Sequence, residues 1–179
     1  MLVVVAGCTS EIPGKALSAS ESAPNSPHPA DASPVEAGAN FDDELAAILP
    51  CGILADDQII DLGFDPSTAQ FDDVGILNLC QYRPAPSERP LMSINIGVDQ
   101  SLDELNLTNF NAIDHQVGPL RALLITDDRD PNKCQISMEL GENAHATVRV
   151  MFTDSREAAC EAVERLAAAV EPELPRETP

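Results

Sequence analysis

Four cysteines set the terms on which this chain can fold. Cys51, Cys80, Cys134 and Cys160 are separated by 29, 54 and 26 residues, and none forms a CxxC pair. Zinc ribbons and redox dithiols need close pairs, so this spacing argues against both. An even set of widely spaced cysteines points instead to two disulfides formed in an oxidising compartment. Four cysteines allow three pairings, and spacing alone does not choose among them. A fifth cysteine, Cys8, stands apart near the N-terminus.

The chain has use for such staples. Its 179 residues suit one domain with appendages, and the 44% hydrophobic residues include only 3% aromatics and no Trp. The core must therefore be built mainly from Leu, Ile, Val and Ala. Thirty Asp and Glu against ten Lys and Arg give a formal charge of −20. A surface of that sign repels phosphate backbones and anionic lipid head groups, which excludes nucleic acid as a partner.

Cys8 is preceded by Val5, Ala6 and Gly7. An aliphatic residue, two small residues and then Cys is the form of a bacterial lipobox, where a signal peptidase cleaves in front of a Cys that has received a diacylglycerol. Small residues leave the extended backbone uncrowded beside the scissile bond. Only seven residues precede Cys8, without a basic segment, and the apolar run Leu2 to Val5 is short. As a helix it would reach about 10 Å against a hydrocarbon core of about 30 Å. The expectation is that translation begins upstream of Met1; the alternative is an ordinary N-terminal strand that happens to read VVVAGC. Two or three acyl chains on Cys8 would anchor the protein stably, where one would not.

Between Thr9 and Asn40 the chain is Ser, Ala, Pro and small acids. It has too little apolar surface to offset ordering entropy, and it is expected to be a disordered tether spanning on the order of 30 Å. His28 falls in it, as a solvated residue. The expected organisation is a signal remnant at 1–7, a lipidated Cys and tether at 8–40, and one globular domain at 41–179.

Within that domain FDDELAAILP predicts a helix stopped by Pro50, and a short helix follows over roughly Asp56–Leu62, ended by Gly63. ILNLCQYRP has strand character, and LMSINIGV alternates, with Met92, Ile94, Ile96 and Val98 on one face and Ser93 and Asn95 on the other. SLDELNL suggests a short helix before the strand-like runs FNAIDHQV and PLRALLIT. CQISMELGENAHATVRVMF predicts a hairpin around Gly141, Glu142 and Asn143. DSREAACEAVERLAAAV predicts the principal helix, with a capping box from Asp154 to Glu157 and a buried stripe of Ala159, Val163, Leu166 and Val170, ended by Pro172. The fold class is α+β: an antiparallel sheet of about five strands packed by N-terminal and C-terminal helices. On those elements, joining Cys51 to Cys80 and Cys134 to Cys160 staples each helix to a nearby strand, each loop being worth about 3–4 kcal/mol in the chain-entropy account.

Pro50-Cys51-Gly52-Ile53-Leu54, the helix ending Leu62-Gly63, Cys80-Gln81-Tyr82, Cys134 and the helix carrying Cys160 together resemble the actinobacterial lipoproteins grouped as domain of unknown function 3558. The resemblance runs from lipobox to final helix. It implies an envelope lipoprotein with a PsbP-like sheet packed by helices, and it supplies no activity. Tyr82 departs from it, since Trp is expected there; the smaller ring predicts looser packing near Cys80.

Chemistry-bearing motifs are sparse. In DDRDPNKCQISME the residues Asp128, Asp130 and Asn132 alternate, with Glu139 following, as oxygen ligands of a calcium loop do. Lys133 stands where that loop turns on Gly, and Pro131 stiffens its middle, so a solvated acidic loop is preferred and no metal is assigned. Asp114 and His115 are neighbours in a strand, so they point to opposite faces and cannot form a dyad. His145 lies beside the hairpin turn and is expected to be exposed. No GxSxG, HExxH, P-loop or glycine-rich dinucleotide motif occurs. The functional expectation is a lipid-anchored, monomeric, non-catalytic module on the outer face of the bacterial cell membrane. It would bind an envelope protein, a lipid or a small ligand and use no cofactor; an envelope hydrolase or a calcium-binding module is the alternative.

Overall fold

Alternation of apolar and polar side chains over most of the C-terminal two thirds of the chain produces one large sheet. In the computed structural model, which describes residues 41–73 and 77–176, these belong to a compact unit, Gly38–Pro179. The residues Val5, Ala6, Gly7 and Cys8, the tether and His28 lie outside the described residues. Among the described residues three α-helices, α1 (Phe41–Ala47), α2 (Asp56–Asp61) and α3 (Arg156–Val170), accompany seven strands: β1 (Asp65–Asp73), β2 (Leu77–Arg83), β3 (Leu91–Val98), β4 (Asn111–Val117), β5 (Leu120–Asp127), β6 (Asp130–Gly141) and β7 (Ala144–Met151). The spatial order is β1-β2-β3-β7-β6-β5-β4, every pair antiparallel.

The sheet thus has seven strands rather than about five. The strand with no counterpart in the sequence reading is β1, DPSTAQFDD, an edge strand whose side chains are largely exposed and which therefore lacks an apolar alternation. Its acids and Pro66 suit an edge, since they discourage pairing with another chain.

One face of the sheet is apolar. Tyr82, Met92, Val150 and Cys134 form a row across β2, β3, β7 and β6, and Cys80, Ile94, Val148 and Ile136 form the next. Against them α3 lays Ala159, Val163, Leu166, Ala167 and Val170, all buried. Its N-cap is Ser155, whose Oγ accepts from the Ala158 N–H at 3.2 Å, rather than Asp154. The cap one residue further on still satisfies a free amide of the first turn. Pro50 opens a 3-10 turn, Pro50–Gly52, and Gly63, at φ +89°, ends α2 in the left-handed conformation that other residues resist.

Disulfides tie helical segments to this face. Cys51 is joined to Cys80 and Cys134 to Cys160, with Cα atoms 5.1 and 5.0 Å apart. The packing near Cys80 is not loose. Tyr82 is 1% exposed, and its hydroxyl donates to the Cys51 carbonyl at 2.9 Å, so the phenol fills the space and also satisfies a backbone acceptor in the disulfide loop.

Candidate functional site

The opposite face of the sheet is polar and carries a single crossing. After β3 the chain must reach β4 on the far edge, and residues 99–110 pass over β7, β6 and β5 to do so. Asp99 and Asn109, both with positive φ, turn the chain at the two ends of this strap. Leu102 packs with Leu123 and Ile125, joined by Leu105, Leu107 and Phe110. The Gln100 N–H donates to the Asn143 carbonyl at 2.8 Å, Arg121 reaches Asp103 at 2.6 Å, and the Phe110 ring lies under Arg129 and Lys133 at 5.8 and 5.6 Å.

His145 holds the near end. It is 1% exposed, not solvated as its place beside the turn suggests, because its strand partner is Gly97. A Cβ on Gly97 would lie 2.3 Å from the His145 ring, so only glycine leaves room for the imidazole. Its Nδ1 lies 3.0 Å from the Gln100 carbonyl, and because a carbonyl only accepts, Nδ1 carries the hydrogen. Burial pushes this histidine below its ordinary pKa, partly offset by that bond, so the ring is held neutral.

Between strap and sheet lies a cleft of about 180 Å³ lined by Leu105, Asn106, Leu107, Phe110, Ile125, Gln135 and Arg149. Ile125, Gln135 and Arg149 are successive partners across β5, β6 and β7, so they form its floor. Arg149 Nε donates to Gln135 Oε1 at 2.9 Å, Gln135 Nε2 donates to Ser137 Oγ at 3.1 Å, and Ser137 and Thr147 share a hydroxyl bond at 2.8 Å. This chain of bonds fixes the guanidinium. Burial lowers the Arg149 pKa without any carboxylate acting on it. Arg121, Arg129, Arg156, Arg176 and Lys133 pair with carboxylates; Arg149, like Arg83, Arg89 and Arg165, is in no such pair among the described residues, and of these four it is the one that lines the cleft.

The residues singled out from the sequence lie elsewhere and do not converge. Asp130 and Glu139 are nine residues apart along β6, which places them about 30 Å apart and rules out a shared calcium. Asp128 pairs with Arg156 at 3.0 Å, Asp130 with Lys133 at 3.8 Å and Glu139 with Arg121 at 3.4 Å. Asn132 gives its carbonyl to the Thr153 N–H. Among the described residues no group of three potential metal ligands is close enough to hold an ion. His115 does not meet Asp114; its Nε2 lies 3.1 Å from Glu164 on α3, tying β4 to that helix across the apolar face. The cleft residues were absent from the sequence reading. Their signal was present in the hairpin, where alternation puts His145, Thr147 and Arg149 opposite Glu139, Ser137 and Gln135.

Comparison with known proteins adds a family and no activity. The family model described as a protein of unknown function, DUF3558, matches residues 3–173. The chain belongs to this family. No curated protein and no solved structure matches it. In this DUF3558 protein the cleft has the volume and the polar groups to hold a small group. Its lining residues offer a fixed cation, side-chain amides and apolar walls, and among them no nucleophile stands beside a base.

Proposed function

We propose that this DUF3558 protein is a lipid-anchored module of the actinobacterial envelope that binds its ligand or partner without turning it over. The observation that carries the binding half is the cleft itself: a built polar floor under a pinned strap, with donors already oriented and no acid–base pair among the residues lining it. The anchor rests on Val5-Ala6-Gly7-Cys8 ahead of a Ser/Ala/Pro-rich tether. Two disulfides in the folded unit agree with an oxidising, extracytoplasmic location. We include in this reading the division into a signal segment at 1–7, a tether at 8–40 and a domain at 41–179, and a PsbP-like arrangement of sheet and helices.

The mass of the protein extracted intact from membranes tests the anchor. A chain beginning at an acylated Cys8 is expected; an unmodified chain still bearing Met1 overturns both anchor and location. Binding is tested by extracting the purified native protein and analysing what leaves with it by mass spectrometry. A stoichiometric small molecule is the supporting result, and turnover of that molecule by the protein would replace binding with catalysis.

A further inference from the structure

Arg149 is a half-buried cation with no countercharge among the described residues, although acids outnumber bases threefold in the sequence. Removing a guanidinium from bulk water is costly unless an anion meets it. The residue opposite, where a carboxylate would complete a pair, is the neutral Gln135, and it occupies only Nε. Neither Nη atom has a hydrogen-bond partner among the described residues, yet neither is sealed off, so both remain open to solvent where Arg149 lines the cleft. Of the carboxylates on the strap and on this face, Asp103 and Glu139 engage Arg121, Asp127 engages Arg129 and Glu104 accepts from the Ser101 N–H.

Apart from Asn106, the rest of the cleft is apolar. Leu105, Leu107, Phe110 and Ile125 bound a space of about 180 Å³. That is close to a cavity of about 150 Å³ that takes up benzene, and below the range of about 300 Å³ upward typical of sites for drug-sized ligands. A guanidinium fork at one side and a pocket of one ring's volume at the other suit a small amphipathic anion, or the end of a larger one.

We propose that the cleft binds an oxyanion, carboxylate or phosphate, borne on a small apolar group. The Arg149 Nη atoms grip the anion in a two-pronged hydrogen bond, and Leu105, Leu107 and Phe110 cover the apolar part. This rests on the binding role proposed above and names its ligand class.

Benzoate, phenyl phosphate and the neutral benzamide, titrated separately into the ¹⁵N-labelled full chain, provide the test by NMR. Saturable shifts at the strap amides of residues 105–110 are expected for the anions, at least one of them binding about tenfold or more tighter than benzamide. The stronger of the two anions identifies the headgroup. Arg149→Gln should remove the preference for anions and leave benzamide binding in place. Because that variant could fail to fold, Gln135→Glu is the second arm: it keeps the arginine but seats a carboxylate beside it, and should cost the anions a similar factor. Equal binding of benzamide and both anions, or anion binding unchanged in Gln135→Glu, overturns this proposal while leaving a binding cleft. No saturable shift with any probe overturns the ligand class, and the co-purification experiment then decides separately whether the module binds something else.

Discussion

The one tyrosine of the chain carries two jobs at a single position. Its ring fills the core beside Cys80, and its hydroxyl satisfies the Cys51 carbonyl, while burial, with Asp56 nearby, raises the phenol and keeps it a donor. Tyr82→Phe keeps the ring and strands the carbonyl, so it should cost about 1–2 kcal/mol in urea unfolding. No loss would mean that solvent reaches the carbonyl. His145 is the second buried polar group with a nameable consequence. Its pKa is lower folded than unfolded, so its contribution to stability is complete above the ordinary histidine pKa of about 6.5. That contribution is lost as pH falls from there toward the lowered folded value. Asp127, held at about 2 by its hydrogen bonds from Arg129, loses its contribution only in a separate and more acidic window, from the ordinary carboxylate range down through about 2. Urea unfolding across pH should show both steps, and His145→Gln, which keeps a donor but does not titrate, should remove only the upper one. That His145 is buried was not legible locally, because the reason, Gly97 across the ladder, depends on a register no local pattern prints.

Among the elements, those with a strong period were readable in the sequence and those defined by what they cross were not. The hairpin of β6 and β7, strand β3 and helix α3 each bury one face against the core and so show it in their spacing. Strand β1 buries little; the strap at 99–110 shows in SLDELNL the short helix that forms as a 3-10 turn at Leu102–Glu104, but what the strap covers follows from β3 and β4 being far apart in the sheet. The strap is also the element most open to selective disturbance. Gly97→Ala pushes a methyl into the His145 ring and should cost about 1–3 kcal/mol. Displacing that ring breaks its bond to Gln100, so hydrogen exchange should quicken at residues 99–105 and stay slow in β6 and β7. Uniform quickening would show that the strap and sheet open together. The two disulfides act differently, because each fixes a helical segment to the apolar face. Replacing Cys134 and Cys160 together by Ala should cost about 3–4 kcal/mol, measured by urea unfolding against the oxidised protein.

On the scale of the whole molecule, helices and disulfides are gathered on one face of the sheet and the strap and its cleft on the other. The charge that surrounds both is far from balanced, at −20. Such an excess works against compactness through repulsion summed over many pairs at long range, while the ion pairs on the surface act at 4 Å or less. Salt separates these effects, since at about 0.15 M the screening length is about 8 Å and the long-range repulsion is damped first. The partners Arg121 and Asp103 illustrate how little is given up: both side chains are exposed, and exposed pairs of that kind contribute about 0–1 kcal/mol. Raising sodium chloride from about 10 to about 150 mM should therefore increase the midpoint of urea unfolding, urea being used because it adds no ions of its own. A midpoint that falls with salt would mean that the close ion pairs outweigh the net charge, and that the acidic surface is arranged around its few cations rather than merely spread over the fold.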